Sequence, residues 1–220
     1  EKEIDFLGKV TYHPQKPFVA ILGGAKVSDK IGVVENLLEK CDRIIIGGAM
    51  AYTFLKVKGE PVGASRVEAD KLQLAQDILS KAEKKKVRIV LPCDHLVVKG
   101  IDDPASKKTV ATIPEGYMGV DVGPKTVQLF KDQLKDAKTV LWNGPLGIFE
   151  KDDYAAGTKE IAQFLTTIKA IVVVGGGDTA SAANKFKVAE KLSHVSTGGG
   201  ASLEFMEGKG LPGVEALTNK

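Results

Sequence analysis

Half of the glycine in this chain falls into five clusters, and each cluster follows a short, mostly β-branched run. The clusters are Gly23-Gly24, Gly47-Gly48, Gly144 with Gly147, Gly175-Gly176-Gly177 and Gly198-Gly199-Gly200, which together hold 12 of the 24 glycines. The runs ahead of them are Phe18–Leu22, Arg43–Ile46, Lys138–Trp142, Ala170–Val174 and the shorter His194–Ser196, and Val87–Leu91 is a sixth. All but the shortest are nearly continuous in apolar residues, the pattern of strands covered on both faces in a parallel sheet. In such a sheet the carboxyl ends of the strands form one edge, and ligands bind there where the strand order reverses. Glycine at that edge lets backbone N–H groups approach a large anion, and each following helix start offers unpaired donors. Tight turns alone would account for one cluster. Five at one edge point to a phosphate-bearing ligand.

Amphipathic stretches separate the runs. Val27, Ile31, Val34, Leu37 and Leu38 trace one helical face, and Leu72, Ala75, Ile78, Leu79 and Ala82 trace another. The latter ends at Lys84-Lys85-Lys86, which reads as a solvated helix end favoured by the macrodipole. Lys125–Leu134, Ala155–Thr167 and Asp178–Phe186 supply three more helices. The alternation predicts an α/β fold: a Rossmann-like, doubly wound parallel sheet of about six strands with helices on both faces. Leu96–Gly116 departs from it, with Val97-Val98 and Thr109–Ile113 flanking Asp102-Asp103-Pro104, and reads as a small inserted β excursion. Ile4, Phe6-Leu7 and Val10 have helical spacing that stops at Pro14 and Pro17.

Charge and cysteine content narrow the function. Thirty-one basic against 28 acidic side chains leave a net charge of +3, too small for a nucleic-acid or anionic-membrane footprint. No apolar run approaches the ~18–20 residues of a membrane span, and Glu1-Lys2-Glu3 does not open a signal peptide. The expectation is a soluble, cytoplasmic protein. Cys41 and Cys93 cannot build a disulfide framework and read as two buried thiols. Cys93-Asp94-His95 lacks a second pair at zinc spacing.

The first glycine cluster continues through Ala25-Lys26-Val27-Ser28-Asp29-Lys30. Lys26 and Lys30, four apart, would share a face of a helix's opening turn, where the dipole disfavours cations unless an anion is bound. Solvated lysines balanced by Asp29 are the alternative. No Gly-Lys-Ser/Thr follows, so this is not a Walker A loop. Gly175-x-Gly177-x-x-Ala180 fits a loose dinucleotide fingerprint, yet His194-Val195-Ser196 brings no acidic residue to hold a ribose. Asp178 suits a helix N-cap or a Mg²⁺ ligand on a polyphosphate. In Asn143–Glu150, Asn143 could donate to phosphate, Ile148 and Phe149 could cover a base, and Glu150 could accept from ribose; ordinary turn chemistry explains Asn-Gly-Pro equally well. His13, His95 and His194 have no nucleophile context.

Four motifs, in order along the chain, resemble the phosphoglycerate kinase family. They are Gly23-Gly24-Ala25-Lys26-Val27-Ser28-Asp29-Lys30-Ile31, Trp142-Asn143-Gly144-Pro145, Gly175-Gly176-Gly177-Asp178-Thr179 and Ser196-Thr197-Gly198-Gly199-Gly200-Ala201-Ser202, with Leu211-Pro212-Gly213 near the end. The resemblance covers only that family's C-terminal, nucleotide-binding half: residues 1–13 match part of the interdomain helix and 14–220 the nucleotide-binding domain. It implies phosphoryl transfer between ATP and the carboxylate of 3-phosphoglycerate with Mg²⁺, from a monomer whose N-terminal domain carries the acceptor site.

Residue by residue, the resemblance makes Lys26 the lysine accompanying the transferred phosphoryl group and Lys30 the one on the nucleotide phosphates. It implies a Mg²⁺-side role for Asp178, a ribose role for Glu150, and adenine-side roles for Gly23, Gly47 and Gly48, with Gly24, Pro145 and Gly176 also nucleotide-binding. Met118 and Ile148 become apolar walls, and Asn143, Gly177, Thr179 and Gly200 lie around the phosphates, with Lys26, Gly177 and Gly200 as the catalytic positions. Ala49 stands where many relatives have a third glycine, putting a methyl group near adenine. An NAD-binding oxidoreductase domain and a non-enzymatic module are the competing readings.

Overall fold

The computed structural model describes residues 14–196. The helix expected over 1–13, His13, the last glycine cluster with Gly200, and Leu211-Pro212-Gly213 lie outside the described residues. In chain order the elements are β1 (Phe18–Leu22), α1 (Ile31–Leu38), β2 (Arg43–Ile46), α2 (Met50–Val57), α3 (Leu72–Lys84), β3 (Arg88–Val90), β4 (His95–Val98), β5 (Lys108–Val110), β6 (Met118–Val122), α4 (Pro124–Leu134), β7 (Thr139–Asn143), α5 (Ala156–Leu165), β8 (Ile171–Val174), α6 (Gly177–Lys185) and β9 (His194–Val195).

Every residue of β1 is buried because alternate side chains enter two different cores. Phe18, Ala20 and Leu22 join Val34, Leu37, Phe54 and Ile78 from α1, α2 and α3. Val19 and Ile21 join Phe130, Ile161 and Ala182 from α4, α5 and α6. Each large side chain so buried contributes ~1.5–3 kcal/mol. The sheet order is β3-β2-β1-β7-β8-β9, all parallel, so the chain winds outward from β1 and then returns to start again at β7. Leu22 pairs with both Ile46 and Asn143, so the loops opening at Gly23, Gly47 and Gly144 leave the sheet at one level. That level is the switch point.

The inserted β region is larger than its sequence pattern. It is an antiparallel sheet in the order β5-β4-β6 and runs through Val122, not to Gly116. β6 escapes pattern reading because Gly119 and Asp121 interrupt its apolar residues. Ile148 N–H donates to Val120 O at 2.9 Å, which fastens this sheet over the carboxyl edge.

α2 was not expected either. Its residues Met50–Leu55 are all buried, with Met50, Ala51 and Phe54 in one core and Tyr52 and Leu55 against the small sheet. A helix apolar all round leaves no stripe to read. Cys41 is buried, and desolvation pushes its thiol well up, whereas Cys93 is exposed and not the buried thiol expected. Cys93 follows the edge strand β3, where no layer covers it. Among the described residues no helix is long and apolar enough to cross a membrane.

Two helices end alike. After α3, Lys86 N–H donates to Glu83 O and Val87 N–H to Ala82 O; after α6, Lys187 N–H donates to Asn184 O and Val188 N–H to Ala183 O. These are Schellman closures with lysine, not glycine, in the left-handed position, at φ 58° and 56°. Lys86→Gly and Lys187→Gly should each raise stability by ~0.5–1 kcal/mol, read as a higher urea midpoint at unchanged slope.

Candidate functional site

Three loops at the switch point are stitched backbone to backbone. Gly23 N–H donates to Asn143 O (3.0 Å), Gly24 N–H to Pro145 O (3.0 Å), Gly48 N–H to Leu146 O (3.1 Å), and Met50 N–H to Gly24 O (3.0 Å). A Cβ on Gly23 would lie 2.0 Å from Pro145 O, and one on Gly144 2.3 Å from Gly23 O. These two glycines therefore permit the loops to touch. Gly47 does the same against Leu146, whose Cδ2 would be 2.4 Å from an added Cβ. Gly24 is different: it sits at φ +102° beside open space. Gly24 and Gly48 line a cleft, while Gly23 and Gly47 hold its floor together.

The cleft is about 310 Å³, at the small end of the ~300–1,000 Å³ common for small-molecule sites. Met118 and Val120 of β6 and Pro145, Leu146 and Ile148 of the β7 loop give it apolar walls, and Ala49 adds its methyl group beside Gly48. Glu150 and Asp178 supply carboxylates and Arg66 a guanidinium. Phe149 does not take the base-covering place expected for it, since it is buried in the core with Leu146 and Trp142. Arg66, Tyr52 and Val120 were not anticipated, because nothing local distinguishes them; the small sheet and α2 bring them to the edge.

Beside the cleft runs a chain of polar groups. Lys30 Nζ donates to Asn143 Oδ1, and Asn143 Nδ2 donates to Gly175 O at 2.8 Å. Asn143 is fully buried; its oxygen positions Lys30 and one of its two amide N–H groups is committed to Gly175 O. Burial lowers the pKa of Lys30, while Asp178 and then Asp29 oppose the shift. No described carboxylate forms an ion pair with this half-buried ammonium. Thr179 joins the same framework: its hydroxyl accepts the Gly144 N–H at 2.7 Å.

The two helix starts that face this edge differ. At α6 the cap is Gly176 in a left-handed conformation (φ 90°), so Asp178 is not the N-cap but an exposed residue of the first turn. The first-turn N–H groups of Gly177, Asp178 and Thr179 have no acceptor within the helix. In the turn ahead of α1 two donors are taken: Glu68 accepts from Val27 N–H and from Ser28 N–H (3.3 Å), and also from Ser28 Oγ (2.6 Å). The chain enters α1 through a tight turn at Ser28–Lys30, so exposed Lys26 precedes the helix and does not share its opening turn with Lys30. Glu68 lies in an irregular stretch with no pattern that would have revealed it.

The four candidate lysine and carboxylate positions that follow the glycine clusters, Lys26, Lys30, Glu150 and Asp178, thus separate. Gly24, Gly48, Met118, Pro145, Ile148, Glu150 and Asp178 converge on the cleft. Lys30, Asn143 and Thr179 stand beside it, and Lys26 is on the surface. Gly176 and Gly177 form the open start of α6. Among the described residues no group of three or more His, Cys, Asp or Glu gathers as a metal cluster, Cys93-Asp94-His95 included. His95 is buried, and desolvation lowers its pKa against the opposing field of Asp94.

Behind the cleft wall, Asp121 is 1% exposed and accepts from Gly157 N–H (2.7 Å) and Val122 N–H (2.8 Å). Desolvation outweighs those two bonds and raises its pKa from 3.8 to about 7. A folded pKa above the unfolded value means that its stabilisation is complete below about pH 4 and is lost as pH rises through about 7. The urea midpoint should therefore fall between about pH 5 and pH 8, and Asp121→Asn should flatten that slope.

Comparison with known proteins places the chain among relatives. The family model described as phosphoglycerate kinase matches residues 1–209. The chain is 57% identical over 223 residues to a phosphoglycerate kinase of Pseudothermotoga lettingae, with 100% of this chain and 56% of the relative covered. It is 57% identical over 222 residues to that of Levilactobacillus brevis, covering 100% of the chain and 55% of the relative. The structure of phosphoglycerate kinase from Coxiella burnetii superposes with a TM-score of 0.93 at 41% identity, over 99% of this chain and 56% of that one. The enzyme from Pyrococcus horikoshii gives 0.86 at 32% identity, over 99% and 55%. The chain spans about half the length of the curated relatives it matches.

Proposed function

Since the chain belongs to the phosphoglycerate kinase family, we propose that it is the nucleotide-binding half of such an enzyme and that its cleft takes MgADP and MgATP. The supporting observation is the asymmetry of the cleft: apolar walls from β6 and the β7 loop on one side, the open start of α6 with Asp178 on the other, and Lys30 alongside. The base lies between Met118 and Ile148 over the bare backbone of Gly24 and Gly48, close to Ala49. Glu150 accepts from the ribose hydroxyls. The phosphates meet the N–H groups of Gly177 and Thr179 and the ammonium of Lys30. Lys26, free on the surface, accompanies the transferred phosphoryl group. Gly200 belongs to the same site by the resemblance.

Mg²⁺ fits the residues present. It binds through one or two carboxylates plus phosphate oxygens, so it needs no preformed cluster, and Asp178 is an exposed carboxylate with no described ion pair. When bound it supplies charge neutralisation on the phosphates. The rest falls to the chain: Lys30 is held by Asn143, Asn143 by Gly175, and the Gly144 loop by Thr179.

The complete reaction in this proposal is phosphoryl transfer between ATP and the carboxylate of 3-phosphoglycerate, in a cytoplasmic, monomeric enzyme. The acceptor site belongs to an N-terminal domain matching the part of the relatives that this chain does not span, so the chain alone turns over slowly or not at all. Residues 1–13 would be part of the helix joining the halves, and 14–220 the nucleotide domain. Family membership sets aside the NAD-binding alternative.

Calorimetric titration is the direct test: MgADP should bind saturably and NADH should not. Binding of NADH alone would overturn the proposal. Asp178→Ala should weaken the Mg²⁺ dependence of ADP binding, whereas Lys30→Ala should lower affinity and its salt sensitivity together. Unchanged Mg²⁺ dependence would leave Asp178 with only its favourable place in the helix's first turn.

A further inference from the structure

One cation in the cleft has no part in the chemistry above. Arg66 lines the cleft, is exposed, and has no ion pair or side-chain hydrogen bond among the described residues. Its backbone neighbours are pinned on both sides. Ala64 N–H donates to Tyr117 O at 2.8 Å, and the nearly buried Ser65 hydroxyl accepts the Gly119 N–H at 2.9 Å. Two residues further on, the Glu68 carboxylate is fastened to Val27 and Ser28. Residues 65–68 therefore bridge β6 and the start of α1, which puts Arg66 on the β6 side of the cleft with Met118 and Gly119.

The chemistry of the other lining side chains makes this arginine stand out. Glu150 and Asp178 only accept when ionised, the Tyr52 ring is buried, and most of the rest are apolar. Arg66 is the lining side chain that offers N–H donors, five of them in a rigid planar fork. Purines answer such a fork differently. Adenine presents an amino donor next to its N7, whereas guanine and hypoxanthine present O6 and N7, two adjacent acceptors that a guanidinium engages bidentately.

We infer that Arg66 is a specificity-determining residue that raises the affinity of this cleft for 6-oxopurine nucleotides relative to adenine nucleotides. The inference rests on the nucleotide reading above and adds the contact that selects among purines.

The test is titration of MgADP, MgGDP and MgIDP into the wild-type chain, Arg66→Leu and Arg66→Lys. Both variants should lose about tenfold or more on MgGDP and MgIDP, with MgADP held within about threefold. IDP lacks the 2-amino group of GDP, so equal losses on the two assign the effect to O6 and N7. The lysine variant keeps the charge without the fork. If it restores all three affinities that the leucine variant lowers equally, Arg66 is a point charge and the inference fails. An unmoved ADP-to-GDP ratio with clear nucleotide binding also overturns it and leaves the nucleotide reading intact. Failure of folded wild-type chain to bind any of the three overturns both.

Discussion

The contact on which the rest depends is the approach of three backbone loops at the switch point, close enough that no Cβ fits between Gly23 and Pro145 or between Gly144 and Gly23. It joins the ends of β1 and β7, the two central strands, and through Gly48 and Met50 it draws in the end of β2 as well. Because backbone meets backbone, the loops satisfy one another's polar groups and remain short. That frees Gly24 and Gly48 to present bare main chain to the cleft, and leaves Thr179 and Asn143 to brace the Gly144 loop and Lys30 from behind.

Electrostatics at this edge are arranged by burial as much as by pairing. Lys30 is half-buried with an amide oxygen as its hydrogen-bond partner, a costly place for an ammonium and one that an incoming anion relieves. The two helix starts are handled oppositely. Glu68 fills the donors ahead of α1, while those of α6 stay open beside an uncommitted Asp178.

The small antiparallel sheet supplies what the parallel sheet lacks, an apolar wall over its own edge. Its attachment is again through main chain, Ile148 to Val120, with Asp121 buried behind and capping the first turn of α5. Tyr52 of α2 packs beneath Gly119, where an added Cβ would lie 1.8 Å from its hydroxyl oxygen. A flat wall at this point requires glycine. The wall, α2 and the bridging segment with Arg66 form one unit packed against the cleft.

Much of this architecture was legible in the residues. Continuous apolar runs specify strands covered on both sides, glycine after five of the six runs specifies the crowded edge, and four ordered motifs carry the family resemblance. Those signals are local: a two-residue period, a 3.6-residue stripe, a missing side chain. Tertiary structure alone decided the rest. α2 has no stripe because it is apolar on every side, β6 is a strand only through its partners β4 and Ile148, and Asn143 braces Lys30 because Lys30 and Gly175 meet it in space. Glu68 and Arg66 act across the fold, on groups 40 or 41 residues away and on a cleft built from other segments. The sequence by itself determined where backbone could come close and which faces had to be buried; which side chains then shared one cleft depended on long-range packing, because a hydrogen bond or an ion pair has no period along the chain.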